Sequence, residues 1–209
     1  MAFDRSEWPL HIAEALRHLL EVLQSHEIQY ALIGGLASGF RSRPRFTQDV
    51  DLLLQIPQIA LPGILGELRA RGFTFDDQQV IQQWVRDHMT VLDYHGTRVD
   101  WLKPALPLYQ HVLDQARLES WLDTSIRIAS AEGLILTKMI ASRPQDTVDI
   151  ENLVVANRGN LDLAWIAKEW NTIADGADPR FRRFQEIVDR ICRSASADSA
   201  AGSPALEDA

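Results

Sequence analysis

The spacing of hydrophobic and polar residues along this chain switches between the period of an α-helix and that of a β-strand. Apolar residues recur at helical spacing over residues 8–25 and predict an amphipathic helix, with Pro9 in its first turn. Residues 28–33 form a short apolar run that predicts a strand ending at Gly34-Gly35. Residues 36–40 then predict the start of a helix whose N-terminus faces this glycine turn.

The middle of the chain continues to alternate between strands and helices. Residues 48–55 predict a buried strand, and residues 88–94 and 97–102 predict a hairpin around His95-Gly96. Residues 80–86 fit a helix and a strand equally well. The other elements predicted here are a helix over 61–71 closed by Gly72 as C-cap, a helical pattern over 106–118, and a short strand over 126–128.

From residue 130 onwards the pattern is helical. Ser130 is the predicted N-cap of a helix over 131–142, and Pro144 opens a second helix that continues to about residue 156. Two more helices are predicted near 161–173 and 179–193, and the Ser- and Ala-rich tail predicts disorder. The expected architecture is a mixed sheet flanked by helices, an α/β (α+β) fold. Its expected parts are a core over 1–129, a helical region over 130–193 that completes the site, and a tail over 194–209.

The composition predicts the size of the domain and the cellular compartment. The chain has 209 residues, 46% of them hydrophobic, which suits one compact domain with a sizeable core. Cys192 is the only cysteine, which excludes an internal disulfide and is typical of a reducing cytoplasm. No leader opens the chain and no apolar run approaches the roughly 18 residues of a membrane span, so we expect a cytoplasmic protein without membrane contact. The net charge of −8 argues against nucleic acid binding over the whole surface, but leaves room for a local basic patch.

Two carboxylates on the strand over 48–55 are the first candidate chemistry. Asp49 and Asp51 are two residues apart and therefore point to the same face of a strand, about 6.5–7 Å apart at the backbone. Carboxylates at this spacing can lean together to bridge two Mg²⁺ ions about 3.5–4 Å apart. Asp100 lies in the middle of another apolar strand, where a charge is costly unless it is paired or bound to metal. It is the preferred third carboxylate over Asp93, whose register places it near the hairpin turn.

The residues before the acids suggest a phosphate site. Gly34-Gly35 is either a backbone cradle for a triphosphate at a helix N-terminus or a plain turn that needs a positive φ. Arg41, Arg43 and Arg45 are alternate residues that could contact phosphates of a nucleotide or an RNA acceptor; the other interpretation is a solvated loop. Thr47 lies two residues before Asp49 and belongs to the same pattern. Together these residues predict a site for a nucleoside triphosphate and its metal ions.

This order of motifs resembles the nucleotidyltransferase superfamily typified by DNA polymerase beta-type enzymes. That family has an apolar strand, Gly-Gly or Gly-Ser, a spacer, Asp-x-Asp, and a third acid on a later strand. Gly34-Gly35, Asp49, Asp51 and Asp100 occupy those positions here, although Gly35 stands where other branches have a serine hydroxyl. The resemblance covers about residues 28–156.

A second motif makes the chain similar to a small bacterial branch that includes abortive-infection type toxin nucleotidyltransferases. That branch has a helix with a lysine, followed by an Arg-x-x-Asp stretch. Lys138, Arg143, Asp146 and Asp149 fall at these positions. The residues alone also allow a surface lysine at 138 and first-turn helix acids at 146 and 149.

The resemblance implies transfer of a nucleoside monophosphate from a nucleoside triphosphate to a hydroxyl, with release of pyrophosphate. Asp49 and Asp51 would bind two Mg²⁺ ions, with Mn²⁺ as the alternative, and Asp100 would bind metal or activate the acceptor. Lys138 and Arg143 would contact the nucleotide, and Asp146 the acceptor or a phosphate. The expected acceptor is tRNA or a protein, with a toxin role and an antitoxin protein as partner. The alternatives are an antibiotic adenylyltransferase and a catalytically inactive nucleotidyltransferase-fold binding protein.

Overall fold

A seven-stranded mixed sheet forms the centre of the protein. The structure is a computed structural model that describes residues 9–43 and 47–201, with side chains described as far as residue 193. The strands are β1 (Gln29–Ile33), β2 (Val50–Gln55), β3 (Phe73–Thr74), β4 (Met89–Tyr94), β5 (Thr97–Leu102), β6 (Arg117–Trp121) and β7 (Thr124–Ile128). The helices are α1 (Leu10–Ser25), α2 (Gly34–Arg41), α3 (Leu61–Ala70), α4 (Asp77–Arg86), α5 (Pro107–Asp114), α6 (Ala131–Ala141), α7 (Pro144–Ala156), α8 (Leu163–Trp170) and α9 (Pro179–Ala201).

The strand order of the sheet, β3-β4-β5-β2-β1-β7-β6, brings the candidate acids to its centre. β2 pairs in parallel with β5, and this register places Asp51 directly beside Asp100. On its other side β2 pairs antiparallel with β1, which places Ile33 beside Asp51. The hairpin β6–β7 forms one end of the sheet, and the hairpin β4–β5 lies toward the other end, where β3 pairs antiparallel with β4 as the last strand.

One continuous hydrophobic cluster joins the sheet to the helices on both sides of residue 130. The fully buried central strand residues Leu52, Leu53 and Leu54 belong to it, and so does Leu134 of α6. α6 contacts α2 and α5 as well as α7, α8 and α9, so the C-terminal helices pack directly on the part that carries the acids. The predicted domain boundary near residue 130 stays a prediction.

Most predicted elements are present, including the β4–β5 hairpin and the helices α6 and α7. The undecided segment 80–86 is helical, because Asp76 caps α4 by accepting a hydrogen bond from the Gln79 amide. The predicted helical pattern over 106–118 is wrong at its end, where residues from Arg117 onwards form β6 against β7. The last helix continues to Ala201, past the predicted end near residue 193.

Among the described helices, none is both long and apolar enough to span a membrane.

Candidate active site

The three predicted acids meet where β2 and β5 run side by side. Asp51 and Asp100 are direct neighbours in the parallel register, and Asp49 lies one residue before β2 begins. All three aspartates are half-buried. The parallel pairing, which no local pattern specifies, thus brings the acids of two separate segments together as predicted.

The electrostatics of Asp51 show that negative charge is in excess at this point. Burial, followed by the charges of Asp100 and Asp49, raises the pKa of Asp51 from 3.8 to about 6. The positive charges of Lys138 and Arg143 act in the opposite direction on the same carboxyl group but do not cancel these effects. The acids of β2 and β5 therefore form one interacting cluster, called here the acid cluster and consisting of Asp49, Asp51 and Asp100.

Gly34 is required beside the acid cluster for a steric reason. It opens α2 directly after β1 with a φ of +67°, in the left-handed region. A Cβ atom on Gly34 would lie 2.0 Å from the Asp51 Oδ2 atom, so the carboxylate occupies the space that a side chain would need. Gly35 follows it, buried in the first turn of α2. Both interpretations of the glycine pair are thus compatible with the structure, since the turn needs a positive φ and also lies at the acids.

Arg98 holds the Asp100 carboxylate. The two residues are two apart on β5 and face the same side of the sheet. Arg98 Nε donates to both Asp100 oxygens at 3.0 and 2.8 Å, and Arg98 Nη2 donates to Asp100 Oδ1 at 2.7 Å. Sequence reasoning assigned no role to Arg98, although its spacing of two from Asp100 on a strand was the signal that could have found it.

The acid cluster has donor groups that suit a divalent cation. Within residues 9–43 and 47–201, no three carboxylate, imidazole or thiolate groups already stand in an arrangement that holds a metal ion. The donor set nevertheless fits Mg²⁺, because Mg²⁺ prefers carboxylate oxygens and uses only one or two of them alongside substrate phosphates. The raised pKa of Asp51 points the same way, since a bound cation would relieve the repulsion among the three carboxylates.

Lys138 does not lie open to the site as predicted for a triphosphate contact. Its side chain is only 3% exposed, and its Nζ donates to Asp149 Oδ2 at 2.6 Å. Asp146 Oδ1 lies 3.7 Å from the same Nζ atom, and both aspartates are buried. The three residues form a paired cluster between α6 and α7, here called the helix ion cluster. Its lysine acts on Asp51 only through its electric field.

Arg143 connects the helix ion cluster to solvent. It precedes α7 as N-cap, and its backbone N–H donates to Asp146 Oδ2 at 3.0 Å while its guanidinium donates to both Asp146 oxygens. Burial opposes ionisation of Asp146, but these bonds and the Lys138 charge hold its pKa below the ordinary value. Asp146 is thus buried and paired within the protein, and its predicted contact with an acceptor or a phosphate stays a prediction. Arg143 is 70% exposed and remains the member of this motif that a nucleotide could reach.

The three arginines at positions 41, 43 and 45 do not all lie in one loop as their spacing suggested. Arg41 belongs to α2 and points inward, donating to Glu119 Oε1 at 2.6 Å and to the carbonyl oxygens of Ala129 and Ile128. It therefore ties α2 to the end of β7, and its contact with a phosphate or an acceptor stays a prediction. Arg43 is exposed, Thr47 is half-buried, and Arg45 lies outside the described residues.

Comparison with known proteins identifies the fold. The chain matches no protein-family model, and no curated protein matches its sequence. Its structure is similar to the lincosamide antibiotic adenylyltransferase LnuA in a lincomycin-bound crystal structure, with a TM-score of 0.50 and 18% identity over 67% of this chain and 94% of LnuA. It is more distantly similar to the antibiotic-resistance factor ANT(2'')-Ia, with a TM-score of 0.46 and 14% identity over 92% of this chain and 98% of that one. A nucleotidyltransferase-like protein from Paracoccidioides brasiliensis follows at a TM-score of 0.42 and 15% identity over 90% and 91%.

Proposed function

We propose that this protein, which has the nucleotidyltransferase fold, is a metal-dependent nucleotidyltransferase that moves a nucleoside monophosphate from a nucleoside triphosphate to a hydroxyl group. The observation that carries the proposal is the acid cluster, in which β2 and β5 place Asp51 beside Asp100 with Asp49 close by. The likeness to LnuA supports the fold on which such a site is built.

In the proposed reaction the acceptor oxygen forms a bond to the α-phosphorus, the bond from that phosphorus to the bridging oxygen breaks, and pyrophosphate leaves. Asp49 and Asp51 would hold Mg²⁺, with Mn²⁺ as the alternative, and Asp100 would complete the set or accept the hydroxyl proton. Bound Mg²⁺ would offset the negative charge of the triphosphate and polarise its phosphoryl oxygens. The exposed guanidinium of Arg143 would contact the nucleotide from the α7 side.

The position of Arg41 bears on the class of acceptor. A basic groove built from Arg41, Arg43 and Arg45 would favour tRNA, but Arg41 is engaged inside the protein. Because one arginine of that groove is engaged elsewhere, the second candidate, adenylylation of a small molecule such as an antibiotic, fits the site about as well as the first. A tRNA or protein acceptor, a toxin role and an antitoxin partner remain part of the first proposal.

Nucleotide binding tests the proposal most directly. Thermal unfolding is measured with ATP, GTP, CTP and UTP, with and without Mg²⁺, on wild type and on the Asp49→Ala/Asp51→Ala double variant. A ligand at 100 times its dissociation constant adds about 2.7 kcal/mol, which for a chain of this length raises the melting temperature by about 5–10 °C. We expect a Mg²⁺-dependent shift with wild type that the double variant loses.

Asp123→Ala is the matched control, because Asp123 is an exposed acid in the turn between β6 and β7, at the far end of the sheet from β5. It should keep the wild-type shift. The absence of any shift in wild type with all four nucleotides would contradict the proposal and favour an inactive binding protein. Transfer of labelled nucleotide to total tRNA or to cationic antibiotics then separates the two acceptor classes.

A further inference from the structure

Arg98 is bound to Asp100, one of the carboxylates that would hold a metal ion in the proposed function. Its guanidinium makes three hydrogen bonds to the two Asp100 oxygens, so it uses most of the roughly four acceptor sites of that carboxylate. A metal ion or a proton that binds at Asp100 would therefore compete with the guanidinium for the same oxygens.

The Arg98 charge interacts with all three acids of the cluster and not with its nearest partner alone. Hydrogen bonding to Asp100, followed by the charges of Asp100, Asp49 and Asp51, raises the pKa of Arg98 above its ordinary value. The side chain thus points from β5 toward the place where the acids of β2 and β5 converge.

Exposure makes the pair separable. The Arg98 side chain is 53% exposed and the Asp100 side chain 21% exposed, so the guanidinium lies on the solvent side of the carboxylate. Because solvent screens a half-exposed guanidinium, this pair contributes less to stability than a buried pair, and the guanidinium can exchange Asp100 for another anion. Asp146 offers a contrast, since it is buried together with its lysine.

We propose that Arg98 is a gating and phosphate-binding residue, which holds Asp100 in the metal-free protein and binds the polyphosphate once a divalent cation has taken that carboxylate. The inference rests on the proposed function, since it assumes that a cation and a polyphosphate enter this site. The planar fork of the guanidinium, which binds a carboxylate through two parallel bonds, suits phosphate oxygens equally well. The same charge therefore compensates the acids first and the incoming phosphates afterwards.

Two binding measurements test this role without using activity. The first is a titration with Mn²⁺ alone, followed by electron paramagnetic resonance of the free ion. The second is calorimetric binding of inorganic tripolyphosphate at saturating Mg²⁺, which reports a phosphate contact whichever base the enzyme prefers. Arg98→Gln should bind Mn²⁺ about threefold to tenfold more tightly, because a competing cation is gone. It should bind Mg²⁺-tripolyphosphate about tenfold more weakly, because a charge-assisted contact is lost.

Arg98→Lys keeps the charge but loses the planar fork, so both of its affinities should fall between those of wild type and Arg98→Gln. The matched control is Arg117→Gln, which removes an exposed arginine from β6, four strands away from β5 in the sheet. It should leave both affinities unchanged.

Opposite changes in the two affinities support the inference. Two unchanged affinities, or a parallel weakening of both, would overturn it, the latter indicating that Arg98 only shapes the strand. Wild type that binds neither Mn²⁺ nor Mg²⁺-tripolyphosphate would overturn the proposed function as well. Failure of the inference alone is thus recognised by normal wild-type binding together with an Arg98→Gln variant that does not differ from it.

Discussion

The acid cluster and the helix ion cluster lie near each other but differ in how far positive side chains compensate their carboxylates. In the helix ion cluster, Lys138 and Arg143 compensate the buried carboxylates Asp146 and Asp149, and the pKa of Asp146 is held low. In the acid cluster, the exposed Arg98 interacts with all three carboxylates through its charge. This compensation is incomplete, and the pKa of Asp51 is raised to about 6.

The contrast distinguishes two uses of similar residues. Buried charges that are paired and hydrogen-bonded maintain the position of α6 against α7, and removal of one partner leaves the other without compensation. Carboxylates that lie close together repel each other when nearby positive charge is insufficient, and a cation bound from solution reduces this repulsion. We therefore interpret the helix ion cluster as the support of the site and the acid cluster as the place where ligands bind.

The strongest test of this contrast is Lys138→Met. Removing the lysine takes away the charge-assisted hydrogen bond to the buried Asp149 and the positive charge beside Asp146, so we expect a loss of about 3–5 kcal/mol in the free energy of unfolding, measured by urea denaturation. Lys168→Met, which changes an exposed lysine of α8, should stay close to wild type. If Lys138→Met keeps its stability and instead loses nucleotide binding, the lysine faces the triphosphate and the contrast is wrong.

The next largest effect is expected from Gly34→Ala. The new methyl group would collide with the Asp51 carboxylate and would also strain a positive φ, and the two effects together should cost about 3 kcal/mol. Gly96→Ala is the matched control, because Gly96 has a φ of +86° but open space around its Cβ position. It should cost only about 1 kcal/mol. Equal costs in chemical denaturation would show that Asp51 does not need the close approach to Gly34.

The smallest of the three effects is the pH dependence that Asp51 adds to stability. Because its pKa is raised in the folded protein from 3.8 to about 6, folding favours the protonated form. The stability contributed by that form is complete below pH 3.8 and is lost as the pH rises through about 6. Asp51→Asn should therefore match wild type near pH 4 and exceed it at pH 8 by about 2 kcal/mol, after allowance for partial solvent exposure.

Addition of Mg²⁺ at pH 8 sharpens this measurement. It should stabilise wild type and leave Asp51→Asn nearly unchanged, since the variant lacks a ligand and much of the repulsion. A wild-type protein that is more stable at pH 8 than Asp51→Asn in the absence of metal would show that the acid cluster is compensated like the helix ion cluster.

Local signals in the chain predicted the elements best where capping or turn residues mark their ends. Ser130 caps α6 through the Gly133 amide as expected, and Gly96 closes the β4–β5 hairpin. β6 was missed because the turn that joins it to β7 contains Leu122 at a φ of +50°, where no glycine or asparagine signals a hairpin. Asp76 was an available cap signal for α4 that settles the ambiguous pattern after it.

Side-chain partners from distant segments could not be predicted in the same way. The spacing of Arg41 within a polar stretch suggested solvent or phosphate, yet its partners Glu119, Ile128 and Ala129 are more than seventy residues away. Lys138 sits eleven positions before Asp149, and only the packing of α7 on α6 brings them together. Such pairings depend on how helices dock, which hydrophobic periodicity does not specify.

The sequence by itself determined the candidate acids, the glycine turn before them and the alternation of strands and helices, because these depend on residue type and on spacing within one element. The tertiary structure decided which charges are compensated. The parallel pairing of β2 with β5 places Asp51 beside Asp100 and its partner Arg98, and the docking of α7 on α6 buries Lys138 with its own carboxylates. Electrostatic energy depends on distance and burial, and both are set only when separate segments come together.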